Sequence, residues 1–307
     1  MIFKINKNIK FSNFYKKFNI LSLILILFSI FILFFKGLNL GVDFKGGTLI
    51  ELRTENLGPN IAEIRQSFLR MNLGDVSVKK FGKKNDYIVK IELIKNDDDN
   101  FIKSINDKLS NDLGSVVNFR RVENVGPKVS NELMKDGLLA ISISLAAMLF
   151  YIWIRFEWQF SLGAIIALIH DVIITVGIFS LLSYEINLSI VAAVLTIVGY
   201  SMNDTVVIFD RVRENLKKYS KIPTIEISDL SINQTLSRTL ITSITTLLAL
   251  FSIYLFGGAI LKGFSFAMIM GVIIGTYSSI FIATPVLNYM GVTQKTISKE
   301  EDKIIEN

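Results

Sequence analysis

The sequence predicts a polytopic α-helical membrane protein of six transmembrane helices, with an α+β domain inserted between the first helix and the second. Three observations carry this. The 307 residues are 51% hydrophobic with a mean hydropathy of +0.48. The apolar residues gather into runs of about 20, the length that crosses a bilayer. A single polar stretch of roughly 100 residues, 37–135, has a periodicity of its own. With no cysteine and one histidine, disulfide and thiolate chemistry are excluded and a zinc site has no ligand set. The net charge of +6 comes from lysines and arginines crowded at the ends of apolar runs, a topology signal and no argument for nucleic acid.

The first run, FNILSLILILFSIFILFF, follows Lys4, Lys7, Lys10, Lys16 and Lys17 and looks like a secretory signal. It is too long for a signal core and KGLNLGV after it offers no small-x-small cleavage site, so an uncleaved helix over 18–36 is expected. Further spans are expected over 136–155, 160–182, 187–209, 238–257 and 263–290, the last tilting or ending at the interface near Pro285. Basic residues mark the N-terminal tail, the turn at Arg155, the loop of Arg211, Arg213, Lys217, Lys218 and Lys221, and the tail 291–307 with Lys295, Lys299 and Lys303. Both termini are therefore expected in the cytoplasm, and the polar stretch on the outer side.

Within that stretch TLIELRTE alternates as a strand, and NIAEIRQSFLRM puts Ile61, Ile64, Phe68 and Leu69 on one helical face. VSVKKFG and DYIVKIEL read as a hairpin around Lys83 to Asn85, FIKSINDKLSNDL as a second helix ended by Gly114, and SVVNFRRV as a last strand. The order is βαββαβ, a ferredoxin-like domain, an arrangement that names no function by itself. Ahead of it GVDFKGGT follows the first span; Gly46 and Gly47 permit a sharp turn, which leaves Asp43 and Phe44 unexplained and marks the motif as a candidate hinge or partner contact.

The polar residues inside the apolar runs are the functional candidates. A carboxylate at helix centre costs about 2.5 to 3.5 kcal/mol even on the lenient insertion scale, so it is expected to face protein or a water path. At 100° per residue Thr196, Tyr200, Asn203 and Asp204 share one arc of the fourth span; His170, Asp171 and Thr175 mark the third, and Arg238, Thr242, Thr245 and Thr246 the fifth. Three such seams can meet in one buried polar cluster. The plainer readings stand beside it: Asp204 as a helix-end acid reached by water, Arg238 as a snorkelling anchor, His170 and Asp171 as hydrogen-bonded glue, the threonines as ordinary packing. In the last span Ala267, Gly271, Gly275 and Ser279 recur every four residues, a face for close approach by a helix of this chain or of another subunit. A phosphate-binding GxxxxGK[ST] loop, HExxH and GxSxG are all missing, so ATP hydrolysis and intramembrane proteolysis lack residues and no enzyme activity is expected.

The motifs GVDFKGGT, VENVGPKVSNEL, ALIHDVIITVG, VGYSMNDTVVIFDRVREN and SRTLITSITT stand in order along the chain. Together they resemble the SecD/SecF family of bacterial protein-export membrane proteins, within the resistance-nodulation-division superfamily. The resemblance covers nearly the whole chain, though in the outer domain and the basic tails only the layout agrees. It implies the inner membrane, a SecD-like partner of six spans with a larger outer domain, and help to the SecYEG channel after SecA has begun pushing an unfolded preprotein. It also implies no cofactor beyond protons as the coupling ion. The family's relay aspartate falls on Asp204, its relay arginine on Arg238 and the neighbouring threonine on Thr242; Asp171 lies in a family motif, and no role carries over to His170. A proton descending the membrane potential supplies about 2.3 kcal/mol per 100 mV, enough to bias a conformational equilibrium in a late, assisting step. The alternatives are a stand-alone exporter of the superfamily, which lacks here a larger outer domain or a second six-span copy, and a structural assembly subunit with polar seams as glue.

Overall fold

The structure is a computed structural model that describes residues 8–55, 59–80, 84–91, 99–219, 221–294 and 296–297. A 3-10 turn at Phe11–Phe14 leads into α1 (Tyr15–Lys36), followed by β1 (Asn39–Leu40), α2 (Val42–Lys45), β2 (Gly47–Thr54), α3 (Ile61–Arg70), β3 (Val76–Lys80), β4 (Asp86–Ile91), α4 (Asp99–Leu113) and β5 (Val117–Val125). Then come α5 (Pro127–Arg155), α6 (Trp158–Leu181), β6 (Glu185–Ile186), α7 (Leu188–Lys218), α8 (Thr224–Phe256), α9 (Gly258–Ser278), a π turn at Ser279–Ala283 and α10 (Thr284–Tyr289). Two compact units result: Met1–Asn39 with Ala140–Tyr184 and Ser189–Asn307, and Leu40–Leu139 with Glu185–Leu188.

Among the described residues six helical segments are long and apolar enough to cross a membrane: Phe11–Lys36, Pro127–Arg155, Trp158–Leu181, Leu188–Lys218, Thr224–Phe256 and Leu261–Tyr289. Several outrun the apolar stretches that announced them. The second starts at Pro127, whose missing N–H suits a first helical turn, the fourth runs on to Lys218, and the fifth begins at Thr224. Hydropathy marks only the part of a helix that suits hydrocarbon; backbone hydrogen bonding carries it further.

In the helical unit half or more of the apolar windows of α6, α7 and the Leu261–Tyr289 segment is buried, against less than a fifth for the other three spans. Those three form the centre. Their contact is close because glycines remove side chains: a Cβ at Gly271 of α9 would lie 2.3 Å from Ile197 Cγ1 of α7, and one at Gly275 would lie 3.0 Å from Ser201 Cβ. The small-residue face of the last span is thus taken by α7 of the same chain. The π turn follows from Pro285, which cannot donate back along the helix; the Thr284 hydroxyl donates to the Ser279 carbonyl at 2.8 Å.

The other unit is a four-stranded antiparallel sheet in the order β3-β4-β2-β5. Strand β2 is central, and Ile50 and Leu52 are buried with Tyr87 and Val89 of β4, Ile64 and Phe68 of α3, and Leu109 of α4. Helix α3 opens on a capping box in which Asn60 N–H donates to Glu63 Oε2 at 3.0 Å. Leu69, expected inside, is exposed, because it lies a further 100° round the helix from Phe68. Strand β5 runs on to Val125. Of the expected hairpin turn, Lys83 lies outside the described residues, as do Lys4, Lys7, Lys295, Lys299 and Lys303 of the basic tails.

The α7–α9 contact makes a prediction. Gly271→Ala forces Ile197 to move and lowers stability by about 1 to 3 kcal/mol, while adding Ile197→Ala recovers part of the loss. Thermal unfolding of the detergent-solubilised chain and its two single variants and one double variant measures the coupling.

Candidate functional site

Asp204 is buried on α7, four residues after the half-exposed Tyr200 and one after the exposed Asn203. Its Oδ2 accepts a long hydrogen bond of 3.5 Å from Thr276 Oγ1 on α9, and the Thr276 hydroxyl lies 2.8 Å from Ser243 Oγ on α8. Three helices therefore converge on one acid, which holds a single weak hydrogen bond among the described residues. Arg238 is exposed on α8 and forms no ion pair among the described residues. Thr242 Oγ1 is spent on its own helix, donating to the Arg238 and Thr239 carbonyls at 3.1 and 2.9 Å.

A second acid is placed quite differently. Asp171 on α6 is fully buried and accepts from three directions: His170 Nδ1 at 2.8 Å on Oδ1, and on Oδ2 the hydroxyls of Ser201 of α7 at 2.5 Å and Ser278 of α9 at 2.7 Å. The His170 ring stacks on Tyr277 with centroids 6.0 Å apart, and its Nε2 is buried without a partner. The polar residues thus form two clusters where the sequence allowed one, around Asp171 and around Asp204, each spanned by α7 and α9. The reason is rotational. The buried face of α7 carries Ile197, Ser201, Asp204 and Thr205, whereas Thr196 and Asn203 are exposed, so Asp204 sits at the edge of the arc that the seam described. On α8 Thr245 is exposed with Arg238, and Thr246 accepts from Tyr200 at 3.3 Å.

Ser201, Ser243, Thr276 and Ser278 were not foreseen. A lone hydroxyl in an apolar helix satisfies itself on the preceding turn as readily as it reaches a neighbour, so residue type alone gives no signal.

The GVDFKGG motif lies in the sheet unit. Asp43 Oδ2 accepts the Leu188 backbone N–H at 2.9 Å, placing a carboxylate on an otherwise unpaired donor at the first residue of α7. Gly41 N–H donates to the Ile186 carbonyl at 2.8 Å, and Lys90 of β4 pairs with Glu185. Phe44 is buried beside them. Gly46 has φ +74°, and Gly47 has φ +125° with the Ile91 carbonyl only 2.8 Å from where a Cβ would stand, so neither position admits a side chain without strain. Asp43 is explained as a helix-terminus acceptor that comes from outside the helix it serves.

Comparison with known proteins fits this layout. The family model for the SecD/SecF protein-export membrane protein, C-terminal part, matches residues 105–293, and that for the SecD/SecF GG motif matches 31–56. The chain belongs to the SecD/SecF family. It is 45% identical over 280 residues to protein translocase subunit SecF of Rickettsia bellii, covering 90% of this chain and 91% of that one. With the SecF subunit of Vibrio alginolyticus it is 43% identical over 297 residues, 96% and 93% of the two chains. The crystal structure of SecDF from Thermus thermophilus, described as a translocon-associated membrane protein, superposes with a TM-score of 0.85 at 32% identity. That match covers 95% of this chain and 40% of the SecDF chain. A second SecDF structure, in a super-membrane-facing form, gives 0.71 at 31% identity. This SecD/SecF member is a multi-pass membrane protein of protein export, and the SecF relatives above are named as protein translocase subunits.

The Asp43 contact is testable. Asp43→Ala removes the acceptor and costs about 1 kcal/mol at the start of α7, read as faster amide hydrogen exchange at Leu188; Asp43→Asn keeps an acceptor oxygen and preserves most of the protection.

Proposed function

We propose that this chain is the SecF-type subunit of the Sec accessory complex, pairing with a SecD-like subunit in the inner membrane and using the proton gradient to help complete polypeptide export. One observation carries the reading. Asp204 is buried between α7, α8 and α9 with a single 3.5 Å hydrogen bond, next to a chain surface on which Asn203, Thr196, Arg238 and Thr245 are exposed. Loss of water favours the neutral acid, and an approaching guanidinium favours the carboxylate, so a modest change in the Asp204–Arg238 separation loads or releases a proton.

In this reading Asp204 and Arg238 are the relay, with Thr242 beside them. Polar groups left bare on α7 and α8 are costly against lipid and are what a second polytopic half covers. That half is the SecD-like subunit; the relatives solved as SecDF carry more than twice the length matched here, which supports a partner of comparable size. The sheet unit is read as a ferredoxin-like domain from its βαββαβ order and β3-β4-β2-β5 sheet, placed in the periplasm with both termini in the cytoplasm by the distribution of lysine and arginine. The GVDFKGG segment with Asp43, Phe44, Gly46 and Gly47 is its hinge. The SecYEG channel, SecA upstream of it and the unfolded preprotein are the remaining partners, and protons the only coupling species.

Preprotein completion in inverted membrane vesicles tests the relay at matched protein levels, with and without a proton gradient. Asp204→Asn is expected to abolish the gradient-dependent gain while SecD binding persists. A mutant that keeps the full gain contradicts a proton-carrying role for Asp204.

A further inference from the structure

His170 and Asp171 form a charge-capable pair that the Asp204 relay does not use. Both are essentially without solvent exposure, Asp171 is held by α6, α7 and α9 at once, and the only unmet polar atom of the pair is His170 Nε2. The charged and titratable groups facing the pair are few. On α7 they are Asp204, one turn beyond Ser201, and Tyr200, whose hydroxyl bonds Thr246; on α9 Tyr277 is stacked on the imidazole. Residues 18–35 of α1 and 263–283 carry no Lys, Arg, Asp or Glu, and α6 has none besides Asp171.

Charge counting then fixes what the pair can do. With imidazole neutral and Asp171 ionised, the site carries one negative charge in a region without a cation, tolerable because the imidazole N–H and two serine hydroxyls all donate to that carboxylate. One proton added at Nε2 gives imidazolium beside carboxylate, a pair with no net charge. Passage of the Nδ1 proton to Asp171 Oδ1 then leaves a neutral imidazole with its proton on Nε2 and a neutral acid. The first step cancels the net charge of the site and the second removes the ion pair, the transfer from Nδ1 to Oδ1 running along the 2.8 Å hydrogen bond between them. Asp171 loses its negative charge in that transfer, and with it about half the strength of its bonds to Ser201 and Ser278, which hold α7 and α9 against α6.

We propose that His170 and Asp171 form a second proton-holding site, taking up one proton at His170 Nε2 and linking its occupancy to the α6–α7–α9 contact. This rests on the proton-coupled reading above, and it is tested apart from translocation. Because His170 is the one histidine of the chain, full-length protein labelled with ring-nitrogen-15 histidine, purified through a histidine-free tag and placed in liposomes, gives imidazole signals from this site alone. On acidification from about pH 8.5 to about pH 5.5, the interval in which imidazoles change charge, the Nε2 resonance is expected to pass from the unprotonated to the protonated range. Asp171→Asn, which removes the counter-charge, is expected to lower the protonated population at least about tenfold at the acid end. Ser278→Ala takes one donor from Asp171 and is expected to raise it. A wild-type Nε2 signal that is the same at both ends, an Asp171→Asn signal equal to wild type, or a Ser278→Ala population that is equal or lower overturns the proposal. Asp204→Asn is expected to keep the His170 response while losing gradient-dependent completion; the two sites thus fail separately if they fail.

Discussion

The energetic cost of a carboxyl group away from water organises the helical unit. Among its deeply buried acids Glu157 pairs with Arg213, while Asp171 and Asp204 draw donors unequally: the first takes one imidazole and two hydroxyls from three helices, the second one distant hydroxyl. Hydrogen bonds to an ionised group are about twice as strong as neutral ones, so Asp171 ties α6, α7 and α9 together. Asp204 remains responsive to whatever approaches it. A single protein interior thereby holds a well-bonded acid and a sparsely bonded one, both reached from one turn of α7.

The fastening needs close backbones. Serine hydroxyls are short, and Ser201 and Ser278 reach Asp171 only because Gly271 and Gly275 let α9 lie against Ile197 and Ser201. A larger residue at Gly275 would press on Ser201, one of the donors to Asp171, and one at Gly271 on Ile197 a turn away. The π turn at Ser279–Ala283 belongs to the same arrangement, since it re-aims the chain just after Ser278 where Pro285 interrupts regular hydrogen bonding. In the sheet unit the corresponding economy is at Gly47, where β2 passes the Ile91 carbonyl too closely for any side chain.

Much of this is legible from residue order. Six apolar runs and the βαββαβ pattern follow from hydropathy and from periods of 2 and 3.6, and Asp204, His170 and Asp171 stand out because ionisable residues are expensive in hydrocarbon. What periodicity does not give is rotation about the helix axis. The arc of Thr196, Tyr200, Asn203 and Asp204 is a true feature of α7, yet the buried face lies to one side of it, because apolar Ile197 and Val198 pack the centre as well as any polar residue. Arg238, which the sequence offers both as a member of the seam and as a snorkelling anchor, is exposed. Hydroxyl donors such as Thr276 and Ser278 are invisible until the neighbouring helix is known. Asp43 was unexplained because its partner, the Leu188 N–H, is remote in sequence.

The central claim is that Asp204 is an acid that gains and loses a proton within the membrane. Infrared difference spectroscopy of the reconstituted SecD-paired protein between alkaline and mildly acid buffer reads it directly, because a protonated carboxyl has a carbonyl stretch that a carboxylate lacks. A protonated-carboxyl band that appears on acidification of the wild type and is smaller in Asp204→Asn, the remainder lost when Asp171→Asn is added, is the expected result. A band of equal size in Asp204→Asn, or no band in the wild type, contradicts the claim and leaves Asp204 as a packing residue.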